Sequence, residues 1–126
     1  MLIWLILACV AAMVAYIQFA PSDPTRWHAR IENAKDMDFQ AGAMRLVDGD
    51  IANLDRIIRD SGAKVLAGSV EEGLITYISR SRIIRFPDYT TVQAINGKLA
   101  IYGRLRFGKS DLSVNRKRIE RWIAQL

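Results

Sequence analysis

The first twenty residues carry no charged side chain, and this apolar run constrains the fold more than any other feature of the sequence. Residues 2–20 read LIWLILACVAAMVAYIQFA, with Gln18 as the only strongly polar residue. A helix needs about 20 apolar residues to cross the hydrocarbon core of a bilayer. A soluble buried helix of this kind would need a larger core than 126 residues offer. We therefore predict a transmembrane helix over residues 1–20.

Two other interpretations of this run remain open. Against a cleaved signal peptide, no Lys or Arg precedes the run, and Gln18-Phe19-Ala20 is not a small-x-small cleavage site. The sequence ILAC at 6–9 resembles a lipidation box, but it comes early and is followed by more apolar residues. The residues favour an uncleaved anchor, with cleavage and lipidation as the alternatives.

All charged side chains lie after residue 20, so the formal net charge of +5 belongs to the rest of the chain. Such a basic region suits an acidic partner, either anionic lipid or nucleic acid. No nucleic-acid-binding motif is recognisable and an anchor argues against that partner, so we expect membrane lipid and no nucleic acid. The single cysteine, Cys9, lies in the apolar run and allows no disulfide within the chain.

Pro21 and Pro24 are predicted to end the first helix. Residues 21–43 show no clean period and are predicted to be a linker before a globular domain at 44–126. His28, the only histidine, follows Trp27. We interpret the two rings as an interfacial pair near the lipid headgroups, in preference to a metal or acid-base role.

A β-hairpin is predicted around Asn96-Gly97, because a two-residue type I′ turn needs positive φ at both positions. The register then pairs Ile95 with Lys98, Val92 with Ile101, Thr91 with Tyr102, and Tyr89 with Arg104. Side chains alternate between faces, so one face is apolar except for a threonine: Thr90, Val92, Ala94, Leu99, Ile101, Leu105 and Phe107. The other, here called the polar face, is predicted to be open to solvent and carries Tyr89, Thr91, Gln93, Tyr102, Arg104 and Arg106.

Three further strands and two helices complete the predicted domain. The strands are expected at 44–47, 64–68 and 74–84, although neither parity of the last is purely apolar and its faces stay unassigned. One helix follows an Asp50 N-cap and stops at Gly62. The other spans about 111–125, with the apolar stripe Leu112, Ile119, Trp122, Ile123 and Leu126. The expected class is α+β: an N-terminal transmembrane helix, then an antiparallel sheet of about five strands packed on one face by two helices.

Residues 103–110, GRLRFGKS, match the phosphate-loop pattern G-x-x-x-x-G-K-[ST]. The alternation of the preceding strand continues through residues 104–107, and the chain has no room for the downstream strands of a nucleotide-hydrolysing fold. We therefore interpret the match as fortuitous.

The polar face is the better candidate site. We predict an anion- or partner-binding group of Tyr89, Thr91, Tyr102, Arg104 and Arg106, because guanidinium groups bind carboxylates and phosphates in bidentate fashion. A solvated sheet face with cross-strand Tyr–Arg stacking explains the same residues equally well.

Catalytic signals are otherwise missing. No thiol lies outside the apolar run, no histidine lies in residues 44–126, and no spacing suits a metal or other cofactor. Asp111 and Asn115 are interpreted as structural residues at the start of the last helix, with Asp111 paired to Lys109 or Arg116.

A resemblance to a known family rests on LAGS at 66–69, EGLITY at 72–77, FPDYTTV at 86–92, YGRLRFGKSDL at 102–112 and Asn115-Arg116. With PSDPTRWH at 21–28, these stretches resemble the domain-of-unknown-function family 1499, in an alphaproteobacterial branch that also opens with an apolar segment. The resemblance implies no established activity.

Other branches of that family look like exported lipoproteins, which implies a bacterial inner-membrane protein with its domain in the periplasm. Their cysteine-bearing N-terminal motif is absent here, and Arg26 and Arg30 directly after the apolar run favour the cytoplasm instead. The side of the membrane stays open, with the balance towards the periplasm.

Three functions follow in order of preference. The first is a non-catalytic accessory or scaffold subunit that docks to a larger membrane complex, partly through a small-residue helix face of Ala8, Ala11, Ala12 and Ala15. The second is an anionic-lipid or small-anion binding module that uses the polar face. The third is an enzyme that uses Tyr89, Arg104 and Asp111.

Overall fold

The computed structural model describes all 126 residues, which form four helices and six strands. The helices are α1 (Leu2–Phe19), α2 (Pro24–Trp27), α3 (Ile51–Asp60) and α4 (Val114–Ile123). The strands are β1 (Met37–Phe39), β2 (Gly42–Asp48), β3 (Lys64–Ser69), β4 (Leu74–Arg80), β5 (Pro87–Ile95) and β6 (Lys98–Leu105). They make one antiparallel sheet in the order β1-β2-β6-β5-β4-β3. The predicted α+β class is confirmed, with one more strand than the expected five.

The hairpin of β5 and β6 has the predicted register. Tyr89 pairs with Arg104 and Thr91 with Tyr102, and the pairing closes on Ile95 with Lys98. The two turn residues between these strands have φ values of 49° at Asn96 and 80° at Gly97. Both lie in the left-handed region that a type I′ turn requires, so local chemistry sets this register.

Helices α3 and α4 cover one face of the sheet, as predicted. The Asp50 carboxylate accepts a hydrogen bond from the Asn53 main-chain N–H and caps α3. The core beneath the two helices consists of Ala43, Leu54, Ile57, Ile58, Ala63, Ile75, Tyr77, Val92, Leu99, Ile101, Ile119 and Trp122. Each large side chain of this set contributes about 1.5–3 kcal/mol through burial. Leu112 was expected in the stripe of the last helix, but it precedes α4 and is 81 % exposed.

Strand β4 is shorter than predicted, because it ends at Arg80 rather than at residue 84. The loop that follows is closed by the Ser81 main-chain N–H, which donates to the Phe86 carbonyl, and by the Phe86 N–H, which donates to Ser81 Oγ. Tyr77 lies in the core under α3, while Thr76, on the opposite face, is also fully buried. Both faces of β4 are therefore covered, and for this reason the alternation of its side chains does not mark one face as solvent-exposed.

The second face of the sheet is not open to solvent, and this part of the prediction is wrong. Residues 21–31, here called the strap, run across β4, β5 and β6 on that face. Ser22 Oγ lies 2.6 Å from Tyr89 Oη, and the Ile31 main-chain N–H donates to Gln93 Oε1 at 2.8 Å. Residues 21–43 are predicted to be a linker. In the structure they contain the strap, which includes α2, and then β1.

Helix α1 is apolar enough to cross a membrane by its length and composition, and only 6 % of it is buried in the fold. A signal sequence satisfies the same criteria. The last turns of α1 contact the end of the sheet where β4 ends and β5 begins. There the Ile17 carbonyl accepts from Arg80 Nη1 at 3.5 Å, and the Tyr16 ring meets the Phe107 ring edge-on with centroids 6.0 Å apart.

Candidate functional site

The hairpin brings the five predicted site residues together on one face. Their exposure differs from the expectation. Tyr89 and Thr91 are fully buried, Arg104 is 9 % exposed, and Tyr102 and Arg106 are half-buried. The strap covers these residues. Polar side chains can be buried in this way when each of their polar atoms finds a hydrogen-bond partner.

Arg104 is the centre of this arrangement. Its Nη1 donates to Thr91 Oγ1 at 2.8 Å and to the Tyr102 carbonyl at 3.1 Å, while its Nη2 donates to the Trp27 carbonyl at 2.5 Å. The guanidinium also lies over the rings of Tyr102 and Trp27, 4.6 Å and 5.5 Å from their centroids. One side chain of β6 therefore fixes the main chain of the strap.

No carboxylate lies within ion-pair distance of Arg104, in contrast to Arg45, which contacts Asp38 and Glu120. Burial lowers the pKa of the Arg104 guanidinium to about 10, and it remains a cation at neutral pH. A buried cation that has only neutral acceptors pays a desolvation cost that a nearby anion would offset.

Tyr89 and Arg106 hold the beginning of the strap. The Trp27 indole stacks on the Tyr89 ring, with centroids 4.0 Å apart and an interplanar angle of 14°. Arg106 Nη1 donates to Tyr89 Oη at 3.1 Å and to the Pro21 carbonyl at 2.9 Å. Because Ser22 also contacts the Tyr89 hydroxyl, that hydroxyl already has its partners within the chain.

A pocket of about 490 Å³ opens between the strap and strands β2 and β6. Its lining combines three arginines and one glutamate with apolar and aromatic walls: Arg26, Trp27, Ala29, Arg30, Ile31, Glu32, Met44, Tyr102 and Arg104. Of the five predicted residues, only Tyr102 and Arg104 line it. A cationic pocket with an apolar wall suits an anion that carries an apolar group.

Sequence reasoning missed the strap residues of this pocket, because their segment has no strand or helix period. The interpretation of Trp27 and His28 as an interfacial ring pair is wrong. Trp27 is 8 % exposed on the sheet. His28 Nδ1 lies 2.9 Å from Thr76 Oγ1, and its Nε2 lies 3.9 Å from Glu72. A lone tryptophan in a polar stretch was the one available signal that this stretch packs on something.

Asp111 and Asn115 are structural, as predicted. The Asp111 carboxylate accepts from the main-chain N–H groups of Ser113 and Asn115 and from Asn115 Nδ2. The expected ion pair of Asp111 with Lys109 or Arg116 does not form, since Arg116 lies 3.9 Å from Asp38 instead. Asp111 is on the α4 side of the sheet, so the structure does not bring it together with Tyr89 and Arg104.

The residues that match the phosphate-loop pattern begin inside a β-strand. Gly103 lies within β6, and a Cβ there would meet Asn115 Oδ1 at 2.9 Å and Ile119 Cδ1 at 3.0 Å. The first glycine of the pattern is thus needed for the close approach of α4 to the sheet. No three His, Cys, Asp or Glu side chains are grouped as metal ligands would be.

The comparisons with known proteins agree with the resemblance seen in the sequence. The model of one protein family, described as protein of unknown function (DUF1499), matches residues 16–126, which include the strap, the whole sheet and both covering helices. No curated protein and no solved structure matches the chain. The chain therefore belongs to the DUF1499 family.

Proposed function

We propose that this chain is a non-catalytic, membrane-anchored binding module whose pocket beside Trp27 takes an anionic ligand. The observation that supports the proposal most is Arg104, an almost buried cation that borders the pocket and has no carboxylate partner. A structural arginine in this position usually has a counter-charge, as Arg118 has in Asp88 at 3.2 Å.

The lining of the pocket indicates the class of ligand. Arg26 and Arg30 are exposed, and together with Arg104 they outnumber Glu32, the one acidic residue. Arginine binds carboxylate and phosphate groups through paired N–H donors. Trp27 and the apolar residues beside it suit an attached hydrocarbon or ring. We infer an organic carboxylate or phosphate, of which a lipid headgroup is one example.

The membrane anchor is the second part of the proposal. Residues 21–31 connect α1 directly to the pocket, so an uncleaved α1 would hold the pocket near the bilayer surface. Intact-mass spectrometry of the protein from its native membrane tests this. A mass that includes residues 1–20 supports an anchor, and a mature chain that begins near Pro21 contradicts it.

An accessory or scaffold role in a larger membrane complex is the second candidate. It is supported by α1, because only 6 % of this apolar helix is buried within the chain. Its alanine-rich side, at Ala8, Ala11, Ala12 and Ala15, is suited to close packing against another membrane helix. Nucleic acid is not an expected partner in either case.

One purification separates the two candidates. The full chain is extracted in a mild detergent and analysed by native mass spectrometry beside two variants. One is Arg26→Ala/Arg30→Ala, which removes the two exposed cations of the pocket. The other is Lys64→Ala/Lys117→Ala, a control with the same loss of charge at exposed lysines outside the pocket.

We expect an organic anion to be retained by the wild type and by the control, and to be lost from the arginine variant. Equal retention by all three proteins, or no retained anion in the wild type, contradicts the binding module. Protein subunits retained in fixed stoichiometry would support the accessory role instead.

A further inference from the structure

A second cationic cavity lies on the other face of the sheet, where the ends of α3 and β4 meet α4. Its volume is about 460 Å³. The residues that matter for its chemistry are Ser61, Arg80, Arg82, Arg118, Arg121 and Trp122. The sheet separates this cavity from the pocket beside Trp27, and the two share no lining residue.

Four arginines line this cavity, and no acidic residue does. Arg118 is paired with Asp88, whereas Arg80, Arg82 and Arg121 have no carboxylate within 4.0 Å. Like charges gathered around one cavity repel one another. A bound anion would remove that repulsion.

Three side chains of the cavity, those of Ser61, Arg80 and Trp122, are held in place by contacts within the chain. Ser61 Oγ donates to the Ile58 carbonyl at 2.6 Å and accepts from Trp122 Nε1 at 3.1 Å. Arg80 Nη1 donates to the Arg85 carbonyl at 3.0 Å and contacts the Ile17 carbonyl of α1 at 3.5 Å. Arg80 is thus positioned in advance, and it joins the cavity to the last turn of the apolar helix.

We propose that this cavity binds a phosphate group. Guanidinium groups match phosphate oxygens in geometry and charge, and several of them can share one phosphate. The contact between Arg80 and α1 favours the headgroup of an anionic lipid as the source, because an anchored α1 places this end of the domain beside the bilayer. Free phosphate offers the same group without the membrane, so the test includes both.

The test measures the Tm of the full chain in a neutral detergent. Three additions are compared: a short-chain phosphatidylglycerol, a short-chain phosphatidylcholine and inorganic phosphate. A ligand that binds only the folded state raises Tm, and at concentrations well above Kd we expect a rise of about 5 °C with phosphatidylglycerol. Phosphatidylcholine should give a much smaller rise, because the arginines repel its choline.

The variant Arg82→Ala/Arg121→Ala should lose most of this rise. Both side chains are exposed and unpaired, so the variant should keep its fold. Lys64→Ala/Lys117→Ala removes the same charge outside the cavity and should keep the rise. The variant Arg26→Ala/Arg30→Ala leaves this cavity intact, so it should keep the part of the rise that Arg82→Ala/Arg121→Ala loses, whether or not the lipid headgroup also binds the pocket beside Trp27.

A rise with phosphatidylglycerol alone supports a lipid phosphate, and an equal rise with inorganic phosphate supports a site for the phosphate group itself. The proposal is overturned if neither ligand raises Tm, if phosphatidylcholine is as effective as phosphatidylglycerol, or if Arg82→Ala/Arg121→Ala responds like the wild type.

Discussion

Arg104 donates a hydrogen bond from Nη2 to the main-chain carbonyl of Trp27, 77 residues earlier in the sequence. The same tryptophan stacks on Tyr89, the cross-strand partner of Arg104. These contacts make the strap part of the domain and turn a sheet face that alternation predicts to be solvated into a buried layer.

Trp27→Ala should destabilise the domain strongly. It removes the stack on Tyr89 and the ring beside Arg104, and large-to-small changes of a buried tryptophan cost about 3–5 kcal/mol. The free energy of unfolding, measured in urea with the full chain in detergent, should fall by this order. Trp4→Ala is the matched control, because Trp4 is 71 % exposed on α1, and it should leave that free energy nearly unchanged. Equal effects of the two changes would contradict the role of the strap.

Arg104→Ala should cost more stability than Arg106→Ala. Loss of Arg104 removes the shorter of the two hydrogen bonds to the Trp27 carbonyl, which then keeps only the Thr91 hydroxyl at 3.4 Å as a donor. Thr91 loses the guanidinium and keeps its contact with Thr76. A buried polar group that is left poorly satisfied costs up to about 1–3 kcal/mol. Arg106 is half-buried, and water can replace it at the Pro21 carbonyl. Thermal unfolding of both variants tests the order. Arg104→Lys should recover only part of the loss, since an ammonium group lacks the planar fork of donors.

Gly103→Ala should separate α4 from the sheet. The added Cβ meets Asn115 and Ile119 at 3.0 Å or less, and such overpacking costs about 1–3 kcal/mol. Adding Ile119→Val removes the Cδ1 methyl and should recover part of that stability. The double variant is therefore expected to be more stable than Gly103→Ala alone when urea unfolding is measured. A simple sum of two destabilising effects would contradict this packing.

Asp88 should give the domain a pH-dependent stability of unusual sign. Burial raises the pKa of its carboxyl, and this effect outweighs the nearby Arg118. The folded state then holds the proton to a higher pH than the unfolded chain. The contribution of Asp88 is therefore fully present below the ordinary carboxyl pKa and is lost as pH rises through the raised value. The stability of the wild type relative to Asp88→Asn should fall as pH rises across the acidic range.

Asp48 supplies the opposite control. The Lys98 ammonium donates to its carboxylate and lowers the pKa of Asp48. Its contribution is present above the ordinary pKa and is lost as pH falls, so the stability of the wild type relative to Asp48→Asn should rise with pH. The free energy of unfolding of each pair, measured from acidic to neutral pH, tests both signs. A flat difference for Asp88→Asn would contradict the raised pKa.

The sequence by itself determined the features that depend on near neighbours along the chain. Asn96-Gly97 set the turn and hence the pairing of Tyr89 with Arg104, because a two-residue loop leaves one register. Asp50 and Gly62 marked the limits of α3, and Asp111 marked the approach to α4. The apolar helix α1 could be predicted without tertiary structure, because a run of twenty residues without charge is a property of the sequence alone.

Only the tertiary structure decided what covers the polar face and where the cationic cavities lie. Tyr, Thr, Gln and Arg can face water or bond to a distant backbone, and alternation along a strand is the same in both cases. The partners that bury these side chains come from residues 21–31, which have no period and lie more than 45 residues away in sequence. These contacts form only on the assembled sheet, where hydrogen-bonding groups and aromatic rings from three strands lie side by side. A pattern of neighbouring residues in the sequence therefore does not predict them.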